Sequence, residues 1–272
     1  MAKPDGTETQ SQIVLPPITD DSILREIDRL ARRYVEARGL GMEILDRIGG
    51  GGEQLVQKLP SYLRKPIERA VAGAMRRTFK LASASRGAVR DRGDWFNRLG
   101  TTAVGAVGGA AGLTGALIEL PLTVTILLRA ILEIAEEHGL DTNSEEIQTE
   151  ALRIFASGGP LTDDDGTDTA FVAARLAVGG RALQTLISRF APQVASRMLA
   201  KVGAQSVPVL GAVAGASINY TFARYYQELA RVQFGMIRLA HETGLPREAL
   251  TERLITRIRS LEQKARARSD DA

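Results

Sequence analysis

Two stretches of this chain carry no charge at all: residues 99–118, twenty in number, and residues 202–223, twenty-two. A helix of that length without a charged face must be covered all round, by protein or by lipid. Both runs hold small residues four apart: Gly105 with Gly109, Gly108 with Gly112, and Gly211 with Gly215. That spacing clears one side of a helix and lets another backbone come close. Composition argues against a bilayer, since the first run holds six Gly and three Thr and the second holds Gln205, Ser206, Pro208 and Asn219. The expectation is a pair of central, buried Gly/Ala-rich helices whose glycines line close contacts. Reversible insertion of the pair as a hairpin stands between that reading and true spanning helices.

The rest of the chain reads as helix after helix. From Asp20, the residues Ile23, Ile27, Leu30 and Tyr34 recur at helical spacing, and Gly39 is placed to close that helix. A shorter helical stretch is expected up to the glycines at 49–52. After an interruption at Pro60, a longer helix is expected from near Pro66. There Ile67, Val71, Ala74, Met75 and Thr78 share one face, with Arg69, Arg76, Arg77 and Lys80 largely off it. Two later helices end alike, in "HGL" at His138 and in "HETGL" at His241, each with a cationic side chain and a glycine where a helix C-terminus favours them. No alternation of period two appears. The predicted fold is all-α, a bundle of at least seven helices with two central Gly/Ala-rich apolar helices. Residues 1–19 form a disordered arm, and residues 20–268 a single helical domain. That domain has a basic helical region at 53–98, a core at 95–244 and a C-terminal basic helix at 246–268.

Charge is uneven although the net value is only +3. Between Lys58 and Arg98 there are eleven Lys/Arg against Glu68, Asp91 and Asp94, and residues 246–268 hold seven against three carboxylates. Such blocks serve anionic partners or are simply solvated helix faces. Cysteine is absent, which excludes disulfides and thiolate metal sites. The N-terminal residues lack the apolar core of a signal peptide, so export by the standard route is not expected.

The stretch "ELPLTVTILLRAILEIA" resembles the signature of the EcsC family at Glu119, Leu120, Pro121, Thr123, Leu128, Arg129, Ile134 and Ala135. "IFASGG" (154–159) and "VPVLGAVAGASINYTF" (207–222) resemble that family's later blocks, in the same order. The resemblance implies a helical protein of a mostly bacterial family. The family takes its name from a gene beside those for the ATPase and membrane subunits of an ABC transporter. It implies no reaction.

Glu119 is followed at once by Leu120 and Pro121. Proline favours the first turn of a helix, which would set Glu119 just ahead of it, against unpaired N–H groups and the positive end of the dipole. The alternative is an interior polar patch with Arg129, Thr123 or Asn219. Ten residues at about 100° each set Glu119 and Arg129 about 80° apart, so a direct bridge needs a bend at Pro121. Unpaired charges among apolar helices cost several kcal/mol, so both residues are expected to be buried and partnered.

Catalytic patterns are scarce. His138 and His241 are the two histidines and read as helix-end residues. "GASIN" at 215–219 fails the nucleophile-elbow pattern at its last position, and no zinc-protease, phosphate-loop or dinucleotide motif occurs. The acidic "DDDGTD" at 163–168 lacks carboxylates at both ends of a calcium loop and reads as a solvated loop. No cofactor, metal ligand, catalytic residue or nucleic-acid module is assigned.

Three readings remain. The leading one is a cytoplasmic protein peripheral to the inner membrane, docking on an anionic membrane surface through Arg69, Arg76, Arg77 and Lys80 or holding a lipid-like apolar ligand. The second is an accessory or scaffold protein that binds a membrane transporter or another protein through residues 246–268. The third, a hydrolase using Glu119, has the least support, and the balance is against an enzyme.

Overall fold

The computed structural model describes the backbone of residues 17–48, 61–84, 112–157, 183–205 and 211–270. Side chains are described over residues 17–40, 65–80, 120–156, 183–196 and 220–267. Within them lie seven helices and no strand: α1 (Asp21–Ile48), α2 (Ser61–Ala84), α3 (Gly112–Glu137), α4 (Glu145–Ser157), α5 (Leu183–Gln205), α6 (Gly211–Thr243) and α7 (Arg247–Asp270). The all-α multi-helix expectation holds. Ile18, within the arm expected to be disordered, instead packs against an apolar core. Residues 1–16 of that arm, the acidic loop at 163–168 and Gly105, Gly108 and Gly109 lie outside the described residues. So do the side-chain surroundings of Gly112, Gly211 and Gly215, although all three lie on helical backbone.

Local chemistry starts and stops these helices. Asp20 caps α1, its Oδ1 accepting from the Ser22 N–H at 2.7 Å and the Ile23 N–H at 3.4 Å. Ser144 does the same for α4, its Oγ accepting from the Ile147 N–H at 3.2 Å. Both His/Gly ends behave as expected. Gly139 and Gly244 have φ of 72° and 66°, the left-handed conformation that glycine adopts without a Cβ penalty. Their bonding differs. After α3 the Leu140 N–H reaches the Ala135 carbonyl and the Gly139 N–H the Glu136 carbonyl, a Schellman closure. After α6 a single bond joins the Gly244 N–H to the Ala240 carbonyl.

Three boundaries depart from the sequence reading. Gly39 does not close a helix: α1 continues through it to Ile48. A mid-helix glycine costs about 1 kcal/mol against alanine. The turn around it is held from outside, by Ala37 in the core, by Leu40 against it and by an ion pair from Arg38 to Glu262 on α7. α2 begins at Ser61, so Pro66 is inside it. Pro121 lies inside α3, nine residues after Gly112, and not in a first turn. Glu119 therefore sits in the body of a helix, and the capping account of it fails.

Packing forms two apolar cores that share α6. The larger draws on α2, α3, α4, α5 and α6, around Met75, Leu127, Ile131, Phe155, Phe222 and Tyr226. Tyr226 sits at its aromatic centre, with ring centroids 5.2 Å from Phe155 and 5.3 Å from Tyr225. The smaller joins Ile27, Leu30 and Ala31 of α1 to Val232, Met236 and Leu239 of α6 and to Leu250, Leu254 and Ile258 of α7. Burying one such aliphatic side chain contributes about 1.5–3 kcal/mol. No helix among the described residues is long and apolar enough to cross a membrane.

Candidate functional site

α2 divides its residues cleanly. The face read from the sequence is in the core: Ile67, Val71, Ala74, Met75 and Thr78 are all buried, with Phe79 beside them. The opposite face is exposed and carries Lys65, Arg69, Arg76, Arg77 and Lys80. At about 100° per residue, Lys65, Arg76, Arg69 and Lys80 fall within an arc of about 60°, with Arg77 about 60° further round. Glu68 lies on the flank toward the core. No carboxylate among the described residues pairs with the five cations. Arg69 Nε donates instead to the Lys65 carbonyl of its own helix at 3.3 Å.

Elsewhere the arginines that face other helices are neutralised. Arg33 of α1 and Arg231 share Glu228 of α6, at 2.7 and 3.1 Å. Burial, with Arg33 close by, pulls the Arg231 guanidinium below its ordinary value. Arg238 reaches Glu26 at 3.3 Å, Arg257 pairs with Asp28, and Arg247 reaches Glu146 at 3.5 Å. These pairs clamp α1, α6 and α7 together and join α7 to α4. The contrast with α2 is what makes its basic face a candidate site.

The signature residues of α3 separate. Thr123 is buried, and its hydroxyl has no hydrogen-bond partner among the described residues, whereas Thr125 two residues on donates to the Pro121 carbonyl at 2.9 Å. Arg129 is exposed, and no carboxylate among the described residues pairs with it. The expectation of a buried, partnered Arg129 is wrong. On α3 it shares the outward side with Leu122, itself 49% exposed, while Leu127, Leu128, Ala130 and Ile131 take the inward side. Eleven of the seventeen signature residues are hydrophobic, which made the whole stretch look interior. The side chains of Glu119 and Asn219 lie outside the described residues.

Several polar groups were missed. Glu228 is 9% exposed on α6, and its signal was a Gln-Glu pair inside a continuous helical pattern. Glu150 is 3% exposed, joined to Arg153 at 3.4 Å, with its Oε1 unbonded. His138 donates from Nδ1 to the Ile134 carbonyl at 2.7 Å. Burial, with Arg238 and Arg29 nearby, lowers its pKa, against an opposing pull from that bond and from Glu26. Among the described residues no three His, Cys, Asp or Glu side chains could hold a metal ion.

A sequence model of the EcsC protein family matches residues 85–239. No curated protein and no solved structure matches the chain. The family match takes in α3, α4, α5 and most of α6, so the basic helix α2 and the clamped helices α1 and α7 lie outside it.

Proposed function

This chain belongs to the EcsC protein family, and we propose that it works at an anionic membrane surface, to which α2 docks it. One observation carries the reading. Five exposed cations of α2 share one side of a helix whose other side is anchored in the core, and none pairs with a carboxylate among the described residues. Cations near an anionic leaflet contribute about 1 kcal/mol each. The cytoplasmic leaflet carries the negative surface potential, so the proposed location is the cytoplasmic face of the inner membrane. The chemistry proposed is binding, without a reaction. The test is sedimentation with vesicles at low salt. Binding to anionic vesicles, little to neutral ones, and loss on changing Arg69, Arg76, Arg77 and Lys80 to Glu with helical content intact is the expected result. Equal binding to neutral vesicles would sink it.

Two further readings rest on other observations. The buried hydroxyl of Thr123, unbonded among the described residues, supports a lipid-like ligand with a polar group. Lipid extraction from purified protein tests that. The end of α7 beyond Glu262 is exposed, with Lys264 and Arg266 unpaired among the described residues, and supports a protein partner such as a transporter subunit. Truncation after Glu262 should then abolish that partnership and leave vesicle binding unchanged.

A further inference from the structure

The cations of α2 do not converge on a point. Lys65 and Arg76 are eleven residues apart, as are Arg69 and Lys80, and eleven residues are about three helical turns. The row is therefore nearly straight and about 22 Å long. A site for one phosphate gathers its donors around a centre, whereas a straight row meets several headgroups at once. The positions between the cations are small. Pro66 and Ala70 are exposed, and a Cβ on Gly73 would have nothing within 4 Å. Among the described residues no bulky apolar side chain stands on this face. The described large apolar side chains of α2 are in the core, with Val71 and Met75 at 0% exposure and Phe79 at 4%. An interfacial amphipathic helix buries its apolar face among acyl chains. α2 cannot do so without leaving the core.

We infer that α2 reads the charge density of a membrane surface, lying flat on the headgroups without entering the bilayer and without selecting one headgroup. The inference rests on the membrane-surface reading above. Its quantitative signature is steepness. Anionic leaflets range from about −30 mV to about −50 mV, and moving five charges through that extra 20 mV raises partitioning about fiftyfold. A site for a single headgroup gains only in proportion to the amount of that lipid.

The experiment uses the full chain and phosphatidylcholine vesicles with increasing phosphatidylglycerol. A second series carries phosphatidylserine or cardiolipin matched to the same surface potential. Partitioning should rise tens-fold across that range, superimpose for the different lipids at matched potential, and vanish as salt is raised. Millimolar glycerol phosphate should not compete, and the protein should not raise the pressure of a lipid monolayer. Arg76→Gln or Lys80→Gln should each weaken partitioning about fivefold, the loss expected for one surface cation. A merely proportional rise, a preference for one headgroup at matched potential, competition by glycerol phosphate or insertion into the monolayer would each overturn the inference. So would tighter binding to a nucleic-acid oligonucleotide than to vesicles. Absence of binding to every anionic vesicle is a different result, and removes the membrane-surface reading itself.

Discussion

A Cβ on Gly235 would stand 2.8 Å from Cδ2 of Leu30. α6 therefore meets α1 at a point where one helix supplies no side chain and the other fills the space, and Leu30 is only 1% exposed there. Overpacking a tight core costs about 1–3 kcal/mol, and replacing a helical glycine by alanine returns about 1. Gly235→Ala should thus lose up to about 2 kcal/mol in urea unfolding. In a Leu30→Ala background the same change should turn stabilising, because the obstructing methyl is gone. Additive effects in that double-mutant cycle would show that the two residues do not compete for the space.

Thr123 offers the opposite sign. Its hydroxyl is buried without a partner among the described residues, and such a group costs about 1–3 kcal/mol. Thr123→Val keeps the branched shape and removes the oxygen, so the melting temperature should stay level or rise. A clear loss of stability would mean that the hydroxyl is bonded in solution. A stabilised variant that loses vesicle binding or co-purifying lipid would assign the hydroxyl to a ligand.

Glu228 holds two cations, Arg33 and Arg231. Glu228→Gln leaves both guanidiniums facing each other in a part-buried site. Breaking a buried pair from one side costs about 3–5 kcal/mol; with Arg33 a third exposed, about 2 is expected here. Urea unfolding of Glu228→Gln beside Arg33→Gln separates the cases, since the Arg33 change leaves Glu228 still paired with Arg231 and should cost less.

Stability should fall in acid in two stages. Burial holds the pKa of His138 below the ordinary 6.5 in the fold, so below that value the unfolded chain binds more protons. Its contribution is full above 6.5 and declines as pH falls through that value. Asp28 acts in the same direction at lower pH: bonding to Arg32 and Arg257 holds its carboxyl below the ordinary 3.8. The stability it contributes is present above 3.8 and is lost as pH falls through its lower folded value. Unfolding free energy measured from pH 8 to pH 5 should slope less in His138→Gln than in the parent chain. Identical slopes would remove His138 as the cause.

Arg129 is exposed and meets no carboxylate among the described residues, so Arg129→Gln should change stability by less than about 0.5 kcal/mol. A large loss would mean that it is buried in solution. A small one combined with loss of function would place the signature arginine in recognition.

The amino-acid order by itself determined the all-helical class and, for the amphipathic α1 and α2, which face turns inward. The spacing of Ile23, Ile27, Leu30 and Tyr34, or of Ile67, Val71 and Met75, survives in the fold because periodicity is a local property of one helix. The glycine stops at Gly139 and Gly244 were legible for the same reason, since a left-handed residue closes only its own helix. What the order could not decide depends on distant partners. Gly39 does not end α1, because Ala37, Leu40 and the Arg38–Glu262 pair hold the chain helical past it. Pro121 stays inside α3, because helix had already begun at Gly112. Arg129 faces outward within a stretch that read as interior, since a mostly apolar helix does not reveal which side its neighbours leave uncovered. The cations of α2 looked like those of any basic helix. They are distinguished by tertiary packing, which pairs arginines of α1, α6 and α7 across helix interfaces and leaves this row without a carboxylate among the described residues.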